Sequence, residues 1–341
     1  MLQTDGSILS PSDVNNLVGI KPSVGLTSRY LVIPISEHQD TVGPMARTVT
    51  DAAHLLQAIA GPDPNDNYTS AIPNGTVPDY IAALNYSAFA GARIGVPRNV
   101  LALSARQTTP NVIAAFNEAV TQIAAAGATI VDANFTAYPE YLKSNNETLV
   151  LNADFLVNLA TYLSELTYNP YNITNLAGIN NFTHNFKQED YPSRDTGGWD
   201  GKSGALTQGW NNTDPRFWKA YQADQYFGGE GGILGALERE NVDAVLLPTQ
   251  LAPGIPAIVG APVVTVPMGF YPANTTVVKN TRGNLVAQAP NIPFGLSFLG
   301  RRFDEATLIG FAYAYEQRNM HRNDVQPYLV PNIELGDVVP A

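Results

Sequence analysis

The chain has 341 residues, of which 45% are hydrophobic and 14% are charged, so it can fold around a large buried core. Its net charge of -11 and pI of about 4.7, with no cluster of lysine or arginine, argue against direct binding of nucleic acid. The absence of cysteine excludes disulfides, thiolate nucleophiles and cysteine-ligated metal.

The first predicted elements are a short apolar strand over Val18–Ile20 and a helix from Thr48 to Gly61. Thr48 is the expected N-cap of this helix, Gly61 ends it, and the apolar spacing predicts one buried face. The residues of that face are Val49, Ala52, Leu55, Leu56 and Ile59. From 62 to 89, frequent Pro, Asn, Asp and Gly indicate a surface loop that has room for one short helix.

A strand, a helix and a second strand follow in the order that is typical of a parallel β-α-β unit. The strands are predicted over Ala92–Val96 and Ala128–Asp132. The helix between them has Thr109 as its cap, Pro110 at its first position and Gly127 at its end. Its predicted buried face consists of Val112, Phe116, Val120 and Ile123.

The second half of the chain continues the alternation of helices and strands. Its predicted elements are a helix at Leu149–Leu166, an irregular stretch over 168–215, a helix at Ile233–Glu240, strands at Val242–Leu247 and Ala261–Met268, and a helix starting at Asp304. No internal repeat or linker separates these elements. The sequence therefore predicts one α/β domain over 1–341, in which 135–230 is a variable helical and loop insert.

Two patterns bear on the location of the protein. The longest apolar run, Gly254–Phe270, contains three prolines and is too short to span a bilayer, so no membrane partner is expected. Nine N-X-S/T triplets and few charges indicate secretion of the full-length protein, although no signal peptide is visible in this chain. The acceptors are Asn67, Asn74, Asn85, Asn134, Asn146, Asn172, Asn181, Asn211 and Asn274. Unused triplets in a cytoplasmic protein are the alternative.

The segment Thr4-Asp5-Gly6-Ser7 places a serine at the end of a predicted turn. An Asp-Gly pair readily adopts turn conformations in which successive backbone N–H groups bind an anion. A serine in that position would have an oxyanion hole ready for acyl transfer. Taken alone, a Gly-Ser turn is far more often an ordinary surface loop.

The wider context of this turn resembles the amidase signature family. The family's G-[IL]-K-P-T and D-T-x-G-P-M-x-R-[ST]-V motifs correspond to Gly19–Ser23 and Asp40–Val49. The resemblance continues through Val242–Thr249, Ala261–Phe270 and Pro293–Gln317, so it covers nearly the whole chain. The forms TDGSI and SEHQDT are most similar to the branch that contains peptide amidases and their fungal and bacterial relatives.

The resemblance implies an α/β fold with a mixed, twisted central sheet covered by helices on both faces, lacking its N-terminal part. It also implies that Ser7 is the nucleophile and that the backbone amides of Thr4, Asp5, Gly6 and Ser7 form the oxyanion hole. The substrate would be a small carboxamide or a peptide amide, hydrolysed without metal or cofactor. Asp5 replaces a commoner glycine, and Leu9 stands where the family more often has arginine.

The family's triad also includes a serine in a cis peptide and a lysine, which lie upstream of the nucleophile in G-G-S-S-G-G and K-[AT]-N motifs. Neither motif occurs in this chain. Lys21 matches the structural lysine of G-I-K-P, and Lys202-Ser203 lies in the irregular stretch. We therefore expect a truncated fragment that is inactive as written, with the missing motifs encoded upstream of Met1. The alternatives are a degenerate, non-catalytic binding protein and, less favoured, a subunit like that of glutamyl-tRNA amidotransferase.

Other catalytic chemistries are less favoured by the sequence. The four histidines are His38, His54, His184 and His321, and no G-x-S-x-G elbow accompanies them. No H-E-x-x-H or paired-histidine spacing suggests zinc, so no metal site is expected. His54 lies in an amphipathic helix, where a packing or solvent-facing role is the simpler interpretation.

Overall fold

The computed structural model describes residues 1–327 and residue 329, and a seven-stranded mixed sheet forms its centre. The strands are β1 (Leu2–Gln3), β2 (Val18–Lys21), β3 (Thr41–Val42), β4 (Met45–Ala46), β5 (Arg93–Val96), β6 (Thr129–Asp132), β7 (Ala244–Pro248), β8 (Val263–Phe270), β9 (Val278–Lys279), β10 (Val286–Gln288) and β11 (Pro293–Leu299). The central sheet has the order β4-β2-β8-β11-β7-β5-β6. In it β5 is parallel to β6 and β7, and the remaining pairs are antiparallel.

Helices cover both faces of this sheet. They are α1 (Leu9–Val14), α2 (Val49–Ile59), α3 (Arg98–Leu103), α4 (Pro110–Ala125), α5 (Tyr138–Tyr141), α6 (Asn146–Glu165), α7 (Leu176–Asn185), α8 (Gly197–Asp200), α9 (Ala205–Gln208), α10 (Pro215–Gly228), α11 (Ile233–Arg239), α12 (Gly254–Ala257) and α13 (Glu305–Asn319). One hydrophobic core joins α2, α4 and α13 to the sheet, and a second joins α1, α3, α11 and α12. Neighbouring residues of β8 enter different cores, Val264 the first and Val263 the second, because side chains alternate across a strand. The predicted fold class is thus confirmed.

The helix signals in the sequence correspond to real caps. Thr48 accepts a hydrogen bond from the backbone N–H of Asp51 at the start of α2. Thr109 accepts a hydrogen bond from the backbone N–H of Val112 at the start of α4, where Pro110 occupies the first helical position. Each cap satisfies an N–H group that has no partner within its own helix.

Three sequence predictions were wrong in detail. On α2, Leu55 and Ile59 are exposed and Ala53 is buried, since the covered face is narrower than the apolar spacing indicated. The stretch predicted as irregular contains α7, α8 and α9, and the whole of α10 was missed. The central strand β11 was not predicted either, because its glycine and serine interrupt the apolar pattern of PFGLSFL.

Two surface properties bear on location. None of the helices in the described part of the chain is both long and apolar enough to cross a bilayer. Seven of the nine N-X-S/T asparagines are exposed, and Asn146 and Asn211 are half-buried. Sugar transfer requires an accessible asparagine side chain, so the exposed acceptors meet that condition.

Candidate active site

Ser7 lies between β1 and α1, with its side chain exposed and the next two residues, Ile8 and Leu9, wholly buried. Helix α1 packs against β2, β8 and β11, so the serine is fixed to the end of a short helix on the central sheet. The residue before α1 lies close to β2, since a Cβ added at Gly19 of β2 would lie 3.0 Å from Ile8 Cγ2. Glycine at position 19 therefore lets the start of α1 sit directly on the sheet.

The side chain of Gln3 organises the turn that carries Ser7. Its Oε1 accepts hydrogen bonds from the amides of Ile8 at 2.8 Å and Leu9 at 3.0 Å, and its Nε2 donates to the Asp5 carbonyl at 2.6 Å. Gln3 is fully buried. The backbone from Asp5 to Leu9 is thus folded around a single amide side chain.

A second tie joins the turn to the 40–49 motif. Thr4 Oγ1 donates to Asp40 Oδ1 at 2.6 Å, and Asp40 Oδ2 accepts from the amides of Ile35 at 2.7 Å and Ser36 at 3.0 Å. Burial raises the pKa of Asp40, and these hydrogen bonds act in the opposite direction. The aspartate of the motif therefore holds the residue at the start of the turn.

The amides of the turn itself are free. Within the described residues, the backbone N–H groups of Asp5, Gly6 and Ser7 donate to no protein acceptor, whereas those of Ile8 and Leu9 do. Successive unpaired N–H groups in a turn form a concavity that attracts negative charge. The exposed hydroxyl of Ser7 lies beside them.

An acidic cleft of about 390 Å³ opens next to this turn. Asp5, Tyr141, Glu147, Asp224 and Gly254 contribute to its wall. Glu147 Oε1 accepts from Gln39 Nε2 at 3.0 Å, and the Tyr141 hydroxyl lies 3.5 Å from Glu147 Oε2. Burial raises the pKa of Glu147 to about 7 and that of Asp224 to about 8, and a neighbouring carboxylate is the second cause in each case.

Comparison with known proteins identifies the family. A family model described as Amidase matches residues 3–309. The chain belongs to the amidase family. A protein from Arthroderma benhamiae that is classed with the amidases is 50% identical over 338 residues, which are 99% of this chain and 56% of that relative.

Solved amidases have the same fold. The native peptide amidase from Stenotrophomonas maltophilia is 31% identical with a TM-score of 0.75, and the match covers 94% of this chain and 62% of that one. An amidase family protein from Bacillus anthracis is 26% identical with a TM-score of 0.73, and covers 95% of this chain and 57% of that one. The recognition made from the motifs is thus confirmed, and the chain spans little more than half the length of these amidases.

Among the described residues of this chain, none is hydrogen-bonded to Ser7 as a general base would be. Its hydroxyl has no hydrogen-bond partner among the described residues. Lys21 is fully buried in β2, and its Nζ donates to the carbonyls of Ala261 at 2.7 Å and Pro22 at 3.4 Å. Burial lowers the pKa of Lys21 to about 7, but its bonds to main-chain oxygens fit a structural role. Lys202 and Ser203 are exposed in the stretch between α8 and α9.

Within the described residues, no histidine is hydrogen-bonded to Ser7. His54 is exposed on α2. His38 Nδ1 lies 2.7 Å from Asp154 Oδ2, and with Glu37 these residues form the group with metal-ligand spacing in the described part of the chain, their ligand atoms within 4.8 Å. Asp154 already accepts from Ser36 Oγ at 2.6 Å and from Asn212 Nδ2 at 3.1 Å. We interpret this group as a buried hydrogen-bond network that ties the 36–38 segment to α6.

Sequence reasoning missed Gln3, Glu147 and Asp224. Gln3 precedes the motif that drew attention to the serine, and nothing in its immediate sequence indicates a structural role. Asp224 did carry a signal, because Phe217, Ala220, Asp224 and Gly228 recur at helical spacing and share the buried face of α10. An acid in the middle of an apolar helix face needs an explanation.

Proposed function

We propose that Ser7 is the nucleophile of a carboxamide or peptide-amide hydrolase, with the backbone N–H groups of Thr4, Asp5, Gly6 and Ser7 serving as the oxyanion hole. The observation that supports this role is the row of unpaired amides from Asp5 to Ser7 beside an exposed hydroxyl. The family membership and the rigid anchoring of the turn by Gln3 and Asp40 agree with it.

The chemistry follows from the substrate. The Ser7 oxygen attacks the amide carbonyl, and the N–H groups stabilise the negative charge that develops on the carbonyl oxygen. The C–N bond then breaks as the proton lost by the Ser7 hydroxyl passes to the nitrogen, which leaves as ammonia or an amine. Water hydrolyses the acyl-enzyme, which releases the carboxylic acid and restores the Ser7 hydroxyl. Because an amide is a poor acyl donor, splitting the reaction into two steps is a suitable solution.

We further propose that residues 1–341 alone hold this nucleophile without the lysine and serine that activate it in the family. Loss of a catalytic member can reduce the rate by up to about 10⁶, and oxyanion and binding effects leave roughly 10³ to 10⁴ over water. Turnover of carboxamides by this chain should therefore be negligible.

The nucleophile can be tested without a general base. A p-nitrophenyl ester has a leaving group that needs no proton, and in alkaline buffer solvent hydroxide can take the proton of the Ser7 hydroxyl. We therefore expect the 1–341 chain to accumulate one acyl group on Ser7, detected by peptide mass spectrometry. Ser7→Ala should abolish the labelling, and Ser10→Ala, at the next exposed serine, should retain it. The carboxamide of the same acid should show no saturable turnover.

Two outcomes would contradict these proposals separately. Equal acylation of the Ser7→Ala variant would remove Ser7 from its role and favour the non-catalytic binding protein. Saturable carboxamide hydrolysis by the unmodified chain, at a rate near that of an intact amidase, would show that a base is present.

We also propose that the full-length protein is a secreted glycoprotein. The support is the set of exposed acceptors such as Asn74 and Asn274. If the chain is secreted from a eukaryotic host behind an added signal peptide, enzymatic removal of N-glycans should lower its mass. The Asn74→Gln variant should lose one glycan, and an unchanged mass after treatment would refute the proposal.

A further inference from the structure

The acidic cleft beside the Ser7 turn has a polar side chain without a partner. Asp224 is only 2% exposed, it lines the cleft, and neither of its carboxyl oxygens has a hydrogen-bond partner among the described residues. The other buried acids of this region differ: Asp40 and Asp154 each accept several hydrogen bonds. A buried carboxylate with no donor is costly, so such groups normally have partners.

Asp224 is not isolated. Asp5 and Glu147 line the same cleft, and within the described residues none of the three carboxyl groups takes part in an ion pair. The cleft thus presents three acids that no cationic side chain of the described residues contacts at ion-pair distance. Anionic groups concentrated in a partly enclosed space favour a positively charged ligand.

The spacing of the acids distinguishes between kinds of cation. The ligand oxygens of Asp5, Glu147 and Asp224 do not meet the 4.8 Å spacing of a metal-ion group, which the described residues show only at Glu37, His38 and Asp154. A metal ion would require closer ligands. Three separated carboxyl groups suit the several N–H donors of an ammonium or guanidinium group.

The rest of the wall suits the carbon chain that carries such a group. Tyr138, Tyr141, Leu142 and Ile255 give the cleft an apolar and aromatic side. Long basic side chains bury their methylene groups along surfaces of this kind while the charged end finds oxygen ligands. The cleft also begins at Asp5, whose Cα lies at most about 7 Å from that of Ser7.

We propose that this cleft is a subsite for the ammonium or guanidinium end of a substrate whose carboxamide faces Ser7, so that Asp224 and Glu147 select for amides of basic residues. The proposal rests on the proposed function for the position of the carboxamide. The cationic recognition itself is a matter of binding and does not require turnover.

The proposal includes a dependence on pH. Among the described residues, Asp224 and Glu147 interact with each other, with Asp5 on the turn, with Tyr141 on α5 and, in the case of Asp224, with Tyr221 on α10, while Lys21 on β2 acts on Asp5. The pKa values of Glu147 and Asp224 are about 7 and about 8, so the cleft keeps its protons below this range and gains negative charge above it. Affinity for a cation should therefore rise between pH 6 and pH 8.5, the range set by these two values.

The test compares two ligands that differ only in a terminal ammonium group. Nα-acetyl-lysinamide and Nα-acetyl-norleucinamide share the same backbone and alkyl chain, and calorimetry measures their binding to the 1–341 chain at pH 8.5. We expect the lysine compound to bind about tenfold more tightly or better, since each charge-assisted hydrogen bond is worth about that factor. The preference should shrink at pH 6.

Variants show which side chains cause the preference for the lysine compound. Asp224→Asn and Glu147→Gln should each reduce it towards unity, and Glu140→Gln, an exposed acid on α5, should leave it intact. Ser7→Ala should also leave it intact, which separates this proposal from the role of Ser7. If a variant fails to fold by circular dichroism, the pH profile of the unmodified chain still decides. Equal affinities for the two ligands, binding of neither, or a preference unaffected by Asp224→Asn would overturn the subsite.

Discussion

The Ser7 turn and the acidic cleft are adjacent, and they satisfy their polar groups in opposite ways. In the turn, the side chains of Gln3, Thr4 and Asp40 are paired at 2.6 to 3.0 Å, while the N–H groups of Asp5, Gly6 and Ser7 have no acceptor among the described residues. In the cleft, Asp224 has no partner among the described residues and the contact of Tyr141 with Glu147 is 3.5 Å long. The hydrogen bonds of the turn fix its backbone, whereas the unpaired carboxyl group of Asp224 is available to a ligand.

This difference indicates that the turn positions the reacting group and that the cleft provides affinity for a ligand. A reacting group must be held in place before the substrate arrives, so the hydrogen bonds around it must be complete. A recognition group gains most when the ligand supplies the missing partner. Removing a side chain from the turn should therefore disturb structure, while neutralising one in the cleft should spare structure and change binding.

The largest effect is expected at Gln3. Gln3→Ala removes three hydrogen bonds and leaves the buried amides of Ile8 and Leu9 without an acceptor. At about 1 kcal/mol for each bond, the free energy of unfolding should fall by about 3 kcal/mol. Acylation of Ser7 by the activated ester should slow by about 10², as for loss of oxyanion geometry. Urea denaturation and ester kinetics measure the two effects.

Matched substitutions sharpen the Gln3 result. Gln3→Glu keeps an oxygen for the two amides but loses the donor to the Asp5 carbonyl, so it should retain part of the stability. Gln188→Ala, at an exposed glutamine, should change neither quantity. A Gln3→Ala protein with unaltered acylation would mean that the turn holds its shape without this side chain.

The next effect is the dependence of stability on pH at Asp224. The pKa of its carboxyl is about 8 in the folded protein against an ordinary value of 3.8, so between these values the folded state holds a proton that the unfolded state has released. The stability that this group contributes is present at low pH and is lost as pH rises through that window. Asp224→Asn cannot ionise, so it removes the free-energy cost of a buried carboxylate at high pH.

We expect the Asp224→Asn variant to match the unmodified chain in stability at about pH 4 and to be the more stable of the two at about pH 8.5, with the difference growing as the pH rises. Thermal melts across the pH range measure the difference. Glu140→Gln serves as the control, since this acid is exposed. A stability difference that is constant with pH would show that Asp224 has a charged partner in the folded state.

Elements with local sequence signals could be predicted, and elements that depend on distant neighbours could not. Caps such as Thr48 and Thr109, and the motifs around Ser7, are local patterns. The caps predicted helices that the structure confirms, and the motifs predicted a family that the comparison confirms. The strand β11 and the helix α10 were missed. Their apolar patterns are interrupted by glycine, serine or charged residues that only the three-dimensional neighbours explain.

In the candidate site, too, one part could be predicted from the sequence and the other could not. The Thr4–Ser7 turn is contiguous in sequence, so its residue types could suggest an oxyanion hole. The cleft joins Asp5 to Glu147 and Asp224, which are brought together only by the packing of α6 against α10. No spacing rule connects residues that far apart, and the pKa of each carboxyl depends on burial that the sequence does not reveal.

A smaller effect is expected at Thr4. Thr4→Val keeps the shape of the side chain and removes the hydroxyl that donates to Asp40 Oδ1 at 2.6 Å. Loss of one hydrogen bond to a buried charged group should cost about 2 kcal/mol. Thr161→Val on the exposed side of α6 should cost little. A double-mutant cycle with Asp40→Asn isolates the pair, and additive effects of the two substitutions would argue against the tie.

The smallest effect is expected at Tyr141, on the wall of the cleft. Tyr141→Phe removes a hydroxyl 3.5 Å from Glu147 Oε2, a distance at the limit of a hydrogen bond, so the free energy of unfolding should change by less than about 0.5 kcal/mol. That hydroxyl lowers the pKa of Glu147, so its loss should move the Glu147 titration upward, measured by NMR of the carboxyl carbon. Tyr226→Phe, at an exposed tyrosine, should leave the titration in place. A stability loss as large as that of Thr4→Val would mean that the cleft wall is anchored as firmly as the turn, and the contrast between the two regions would fail.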